Sequence, residues 1–167
     1  DQGGSAQNTI LSVIGIDRNI YDPLIISGPL HPSSAQQIKQ ELTEYNISHR
    51  VATALVRNIR PVDDFKAFWQ LYRIIKEESP DIVHTHTSKA GLLGRWAAKF
   101  AGVKIIVHTP HGHVFYGYFN IFLSRLFIWL ERLSTLISDR VITLTNQGKQ
   151  EHIDYKIGPP EKFVPIY

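Results

Sequence analysis

Histidines are concentrated in one stretch of this sequence, where they could serve a chemical purpose. Five of the eight lie between positions 84 and 113, at the ends of two short β-branched segments: His84, His86, His108, His111 and His113. Imidazole rings can hydrogen-bond to ligand hydroxyls, exchange protons near neutral pH, or bind a metal ion. This density predicts a ligand site, although a satisfied core histidine and an N-cap serine are the structural alternatives for the segment from His84 to Ser88.

Metal binding is the weaker use of these histidines. The chain has no cysteine, and no glutamate lies close to the histidines in sequence. A zinc site would therefore need three ring nitrogens to converge. We expect no metal and no cofactor.

Two further segments could contact a ligand. Gly3 and Gly4 open the first predicted helix, where free backbone amides and the helix dipole favour an anion. A plain tight turn explains the two glycines equally well, and the pattern lacks the Gly-x-Gly-x-x-Gly spacing of a dinucleotide site. Ser88 and Lys89 follow His86 at the start of another predicted helix, where Lys89 could meet a phosphate or hydroxyl groups.

Short apolar segments alternate with amphipathic ones along the chain. Helices are predicted over residues 5–18, 35–45, 61–79, 90–101, 118–138 and 146–155, and strands over 23–27, 50–55, 81–86, 103–108, 140–144 and 163–166. This alternation predicts an α/β fold with a doubly wound, mostly parallel, Rossmann-like sheet. Ligands bind at the carboxyl ends of the strands in such sheets, which is where the histidines fall.

Two helices carry patterns that make specific predictions. The third helix has an aromatic and aliphatic stripe that we expect to be core: Phe65, Phe68, Trp69, Tyr72 and Ile75. The helix over 118–138 has a narrow polar stripe and is otherwise apolar, which favours burial on one face: Ser124, Arg125, Glu131, Arg132 and Thr135. A surface that leans on a membrane is the alternative for this helix and its aromatic approach.

Bulk composition excludes several classes of protein. A formal net charge of +3 and scattered lysines and arginines do not suit a nucleic-acid binder. The longest apolar stretch is interrupted by charges and is not a membrane span. We expect a cytoplasmic domain, with peripheral contact at the inner membrane face left open.

The order and spacing of several motifs resemble the N-terminal domain of the family-4 (group 1) retaining glycosyltransferases. The motifs are Gly3-Gly4-Ser5-Ala6-Gln7, Pro80-Asp81-Ile82-Val83-His84-Thr85-His86, Thr109-Pro110-His111-Gly112-His113, Leu130-Glu131-Arg132, Asp139-Arg140-Val141-Ile142 with Thr145 and Lys149, and Lys162-Phe163-Val164-Pro165-Ile166-Tyr167. The resemblance implies the two-domain architecture called GT-B and the transfer of a sugar from a nucleoside-diphosphate sugar to an acceptor. Residues 1–167 would be the acceptor-side domain, truncated at both ends and inactive alone.

The resemblance also implies roles for individual residues. His111 matches the histidine that contacts the transferred sugar, with His113 as its rival. The remaining positions implied to bind substrate are Gly3, Gly4, His86, Ser88, Lys89, Thr145 and Lys149. The expected partners are the C-terminal donor-binding domain, a nucleotide sugar, and a saccharide or lipid-linked acceptor; nucleic acid is not among them.

Three other functions stay open at this point. A non-hydrolysing nucleotide-sugar epimerase resembles the same two-domain architecture and would need no acceptor. A histidine-rich metal-binding or regulatory domain would have no turnover. A self-contained nucleotide-binding module would bind a nucleotide sugar tightly without a second domain.

Overall fold

The computed structural model describes residues 4–112 and 121–167. Its helices are α1 (Gly4–Ile14), α2 (Pro32–Glu44), α3 (Pro61–Glu78), α4 (Ser88–Ala101), α5 (Ile121–Leu136) and α6 (Asn146–Asp154). Its strands are β1 (Leu24–Ser27), β2 (Ser48–Val51), β3 (Ile82–His86), β4 (Ile105–Thr109), β5 (Arg140–Thr143) and β6 (Phe163–Pro165). The described chain forms two compact units that divide after Gln70. None of the described helices is long and apolar enough to cross a bilayer.

The first unit contains a parallel pair of strands, β1 and β2, in register from Leu24 opposite Ser48 to Ser27 opposite Val51. Its core is made by aliphatic side chains of α1, α2 and the neighbouring strand and loops: Ile10, Val13, Ile14, Ile25, Leu30, Ile38, Leu42 and Ile47. A side chain at Gly28 would collide with the Leu55 carbonyl oxygen, so glycine allows this close approach.

Several boundaries in the first unit differ from those predicted. Helix α1 ends at Ile14 rather than near Arg18, because the chain turns at Gly15. Helix α2 begins earlier than predicted, with His31 rather than a serine as its N-cap. Strand β2 ends at Val51, since the following residues form a turn whose Ala54 amide donates to the Gln70 side chain.

The second unit is a four-stranded parallel sheet in the order β3-β4-β5-β6. The predicted parallel α/β fold is therefore confirmed. On one face of this sheet the side chains are buried, and they alternate along each strand: Thr85, Ile106, His108, Val141, Thr143 and Phe163. Helix α4 packs closely on this face, and glycine at positions 91 and 94 makes this possible. A β-carbon at Gly91 would collide with the His108 ring, and one at Gly94 would lie 2.9 Å from Thr85 Cγ2.

The aromatic stripe of α3 is not the core face that its spacing predicted. Phe65 and Trp69 are exposed, and their rings contact each other edge-on with centroids 6.2 Å apart. The fully buried positions of the helix are small or aliphatic: Ala67, Leu71, Ile74 and Ile75. Only Ile75 of the predicted stripe is fully buried, because the buried face of the helix lies to one side of the aromatic residues.

Helix α5 also departs from the predicted pattern. Ser124, Ser134 and Thr135 are buried, and Glu131 also turns inward. Several large apolar side chains are exposed instead, including Phe122 and Trp129. The polar stripe therefore divides, with only Arg125 and Arg132 pointing to solvent.

Candidate active site

The site is built on the ends of β3 and β4, where the polar side chains of two neighbouring parallel strands meet. His84 and His86 are two residues apart on β3, so their rings lie on the same face of the sheet, with centroids 4.2 Å apart. His84 Nε2 lies 2.8 Å from the Thr109 hydroxyl on β4. This face is opposite the one on which α4 packs.

His86 and His111 form the centre of the site. Nδ1 of His86 lies 2.8 Å from Nε2 of His111, and the ring centroids are 5.1 Å apart. One of the two nitrogens must carry the hydrogen and the other must accept it, so the two rings cannot both be cations in this geometry. The tautomer of one ring therefore sets the tautomer of the other.

The surroundings keep these rings neutral near pH 7. Burial, followed by the nearby rings of His84 and His111, lowers the pKa of His86 to about 3. Burial and then His111 lower the pKa of His84 to about 4, although its side chain keeps contact with solvent, which limits the decrease. Burial also lowers the pKa of His111. Neutral imidazoles suit recognition of hydroxyl groups better than pairing with a phosphate charge.

The backbone at the site adopts sparsely populated conformations. Thr87 has φ 63° and His111 has φ 54°, values that non-glycine residues seldom adopt. The Thr87 amide donates to the Thr109 carbonyl over 3.1 Å, which joins the two strand ends beyond the regular ladder. Such strain is maintained where surrounding structure imposes it, and it concentrates at functional sites.

His108 is a core histidine and does not belong to the ligand-facing group. It points to the α4 side of the sheet, where Nδ1 lies 2.9 Å from the Thr85 hydroxyl and 3.2 Å from the Thr85 carbonyl oxygen. Because the carbonyl can only accept, Nδ1 carries the hydrogen. Burial and then the Arg95 charge place the pKa of His108 well below its usual value, so its 3.7 Å approach to Glu131 is not an ion pair.

A buried ion pair lies next to His108. Arg95 of α4 is completely buried, and its guanidinium donates two hydrogen bonds to the Glu131 carboxylate of α5, of 2.9 and 2.8 Å. Its Nε donates to the Gly91 carbonyl oxygen over 3.0 Å. These bonds join α4 to α5 behind the strand ends that carry the site.

A cavity of about 270 Å³ opens beside His111, at the carboxyl ends of β4 and β5. Its lining joins the turn after β4 to the first turns of α6: Pro110, His111, Gly112, Thr143, Leu144, Thr145, Gln147, Gly148, Glu151 and His152. Thr145 is the N-cap of α6, and its hydroxyl accepts from the Gly148 amide over 2.8 Å. The structure thus places two predicted site residues, His111 and Thr145, on one cavity.

The other predicted residues lie at varying distances from this centre. Ser88 and Lys89 form the first turn of α4, directly after the strained Thr87. Lys149 is on α6 but does not line the cavity. Gly4 begins α1 in the first unit. Gly3 and His113 lie outside the described residues.

Sequence reasoning assigned no site role to several residues that shape this region. Thr109 contacts His84, and Gln147 and Glu151 line the cavity. The position of Thr109 directly after His108 was a usable signal, since alternation along a strand places the two side chains on opposite faces of the sheet. No comparable signal identified Gln147 or Glu151. Across residues 4–112 and 121–167, no group of three histidine or acidic side chains is arranged to hold a metal ion.

The parallel sheet with polar groups at its carboxyl edge defines a Rossmann-like α/β domain of the GT-B type. The sequence profile of Glycosyltransferase Family 4 matches residues 21–167. The chain belongs to glycosyltransferase family 4.

One characterised relative is similar over part of the chain. It is the Escherichia coli UDP-Gal:alpha-D-GlcNAc-diphosphoundecaprenol alpha-1,3-galactosyltransferase, 43% identical over 96 residues, which are 58% of this chain and 25% of that enzyme. The similarity therefore spans about a quarter of the length of that relative.

Solved structures with little sequence similarity share the fold. Acinetobacter baumannii MurG superposes with a TM-score of 0.61 at 13% identity, over 98% of this chain and 41% of MurG. Neisseria meningitidis UDP-GlcNAc 2-epimerase bound to UDP-GlcNAc gives 0.57 at 15% identity, over 84% of this chain and 37% of the epimerase. Because the two proteins are only 13% and 15% identical to this chain, these likenesses show the fold alone.

Proposed function

We propose that this chain is the acceptor-side part of an enzyme that transfers a sugar from a nucleoside-diphosphate sugar to a lipid-linked saccharide, with retention of anomeric configuration. The family profile and the 43% identity to a galactosyltransferase support transfer over epimerisation. The name of that relative describes an acceptor of diphosphoundecaprenol type, which supports a lipid-linked acceptor here. The observation that carries the proposal is the neutral His86–His111 pair beside a cavity.

His111 positions the transferred sugar in this proposal. Its Nε2 is engaged by His86, which leaves Nδ1 as the atom to exchange a hydrogen bond with a sugar hydroxyl. The direction of that bond follows from the pair. If His86 donates to His111, then His111 Nδ1 is a donor; if His86 accepts, Nδ1 is an acceptor. Because the bond to His86 fixes the His111 ring in advance, the hydrogen bond from His111 to the sugar can stabilise the charge that develops on the sugar in the transition state.

A second domain that binds the donor nucleotide completes the proposed enzyme. The short coverage of the relatives, 25% of the galactosyltransferase and 41% of MurG, supports this. The proposed reaction needs no metal bound to the described residues, since helix N-termini and basic groups can stabilise the leaving diphosphate. Thr145 at the start of α6 and Lys89 at the start of α4 are the residues that we propose for binding the diphosphate of the substrate.

The proposal is tested by steady-state kinetics on the full-length protein carrying His111→Ala. We expect kcat to fall by roughly a hundredfold or more, the usual cost of removing one transition-state hydrogen bond, while donor affinity changes little. The matched control is His49→Ala, which removes a partly buried histidine of the first unit that bonds to Ser27. Wild-type turnover in His111→Ala would overturn the assigned role.

Two further measurements separate the function from its rivals. NMR of the product identifies the anomeric configuration, and inversion would refute retention. Incubation with the nucleotide sugar but no acceptor distinguishes an epimerase, because only an epimerase would convert the donor to a new sugar nucleotide.

A further inference from the structure

The solvent-facing side of α5 is apolar, which is unusual for an outer helix surface. Phe122 is 78% exposed, Trp129 53% and Leu136 68%. Ile121 and Leu126 are also exposed. The inward face of the same helix carries polar groups, with Ser124, Ser134 and Thr135 buried, beside Ile128, which packs on the core.

These exposed side chains form one continuous surface. At 100° per residue they fall within an arc of about 140° around the helix. The surface, which we call the α5 face, consists of Ile121, Phe122, Arg125, Leu126, Trp129, Arg132 and Leu136. Contiguous exposed apolar surface of this kind marks an interaction site.

The charges of the α5 face indicate what it binds. Arg125 and Arg132 are exposed within the apolar arc, and Arg132 donates to the Tyr155 carbonyl oxygen while remaining exposed. The only acidic residue of the helix, Glu131, points inward and forms an ion pair with Arg95. The α5 face therefore consists of apolar side chains and two positive charges, with no negative charge among them. This composition complements a surface of hydrocarbon and negative charge.

We infer that the α5 face docks the protein on an anionic lipid bilayer, with the helix axis lying in the plane of the interface. The 16 residues of α5 span about 24 Å at 1.5 Å per residue. With the helix axis in the plane of the interface, two aromatic side chains on the α5 face can enter the bilayer to the same depth at separate points along the helix. Trp129 and Phe122 enter the boundary between headgroups and acyl chains, a region that amphipathic aromatic rings prefer. The arginines bury their alkyl stems beside them and direct their guanidinium groups to lipid phosphates. The inference concerns binding alone and stands without the proposed transfer reaction.

The inference is tested by flotation of the purified full-length protein with lipid vesicles. We expect binding to vesicles of phosphatidylcholine mixed with phosphatidylglycerol, and much weaker binding to phosphatidylcholine alone. Each arginine near an anionic membrane surface raises the partition coefficient about fivefold, so the double variant Arg125→Gln/Arg132→Gln should lower it roughly 30-fold. Arg125→Lys/Arg132→Lys should restore it.

The apolar part of the face is tested separately. Phe122→Ser/Trp129→Ser should lower partitioning about tenfold or more even at low salt, because the lost contribution is not electrostatic. Trp129 fluorescence should be quenched by lipids brominated in the acyl chains, and the Trp129→Phe variant should lose that quenching. Since both side chains are more than half exposed, an unchanged thermal midpoint verifies that the variants are folded.

Matched controls come from α3. Phe65 is 65% exposed and Lys66 is exposed, so Phe65→Ser and Lys66→Gln remove similar groups from a different surface. Both should bind vesicles like the wild type. A wild-type protein that fails to float with anionic vesicles would overturn the inference, as would equal losses in the α3 controls. Self-association that Phe122→Ser abolishes, without any vesicle binding, would identify the face as a protein interface and equally overturn it.

Discussion

The buried pair of Arg95 and Glu131 makes a sharp prediction about stability. Replacing Glu131 with glutamine keeps the shape and one acceptor oxygen but removes the charge that balances a completely buried guanidinium. Breaking one partner of a buried ion pair costs about 3–5 kcal/mol. Because glutamine can still accept one of the two hydrogen bonds, we expect the lower end, about 3 kcal/mol.

The assay is urea unfolding at neutral pH, followed by circular dichroism. A loss of this size is a large part of the roughly 5–15 kcal/mol that stabilises a typical domain. Glu161→Gln, an exposed carboxylate in the short 3₁₀ helix at Pro160–Lys162, is the control and should change the unfolding free energy by less than about 0.5 kcal/mol.

A second variant keeps the prediction testable if Glu131→Gln does not fold. Arg95→Met/Glu131→Leu removes both charges and replaces them with apolar groups, so most of the stability should return. The reasoning is refuted if Glu131→Gln behaves like Glu161→Gln, or if the double variant is less stable than Glu131→Gln. Either result would mean that the guanidinium is not confined as the structure places it.

Two further predictions concern packing and pH. Gly91→Ala should destabilise the protein by about 1–3 kcal/mol in thermal unfolding, because the new methyl group would collide with the His108 ring, whereas Gly4→Ala meets no atom within 4 Å and should be near neutral. The pKa of His86 is near 3 in the folded protein and close to 6.5 when unfolded, so the unfolded state binds more protons below pH 6.5 and stability falls as the pH is lowered. Between pH 6.5 and 5.5 this histidine should account for a loss of about 1 kcal/mol, which His86→Gln should remove; an unchanged pH slope in that variant would show that His86 is protonated or solvated in the fold.

The helix and strand order followed from local pattern, and so did the position of the histidines at the ends of two neighbouring strands. His84 and His86 were placed on one face from their spacing alone, since side chains alternate along a strand. The roles of the predicted site residues in substrate binding stay predictions.

The local pattern did not predict which side of α3 and of α5 is buried. Phe65 and Trp69 of α3 and Phe122 and Trp129 of α5 are exposed, against their expected direction. Hydrophobic periodicity measures which residues share a face, but it carries no information about what covers that face. The inward side of α5 carries Glu131, whose partner Arg95 is 36 residues away in sequence.

By itself, then, the sequence determined the class of fold, the alternation of its elements and the edge of the sheet where polar groups collect. These follow from side-chain period and chain connectivity, which are local. Only the tertiary structure decided that His86 pairs with His111, that His108 belongs to the core, and that α5 turns its apolar side to solvent. Each of those outcomes depends on distances between residues far apart in the chain, and no local pattern encodes such distances.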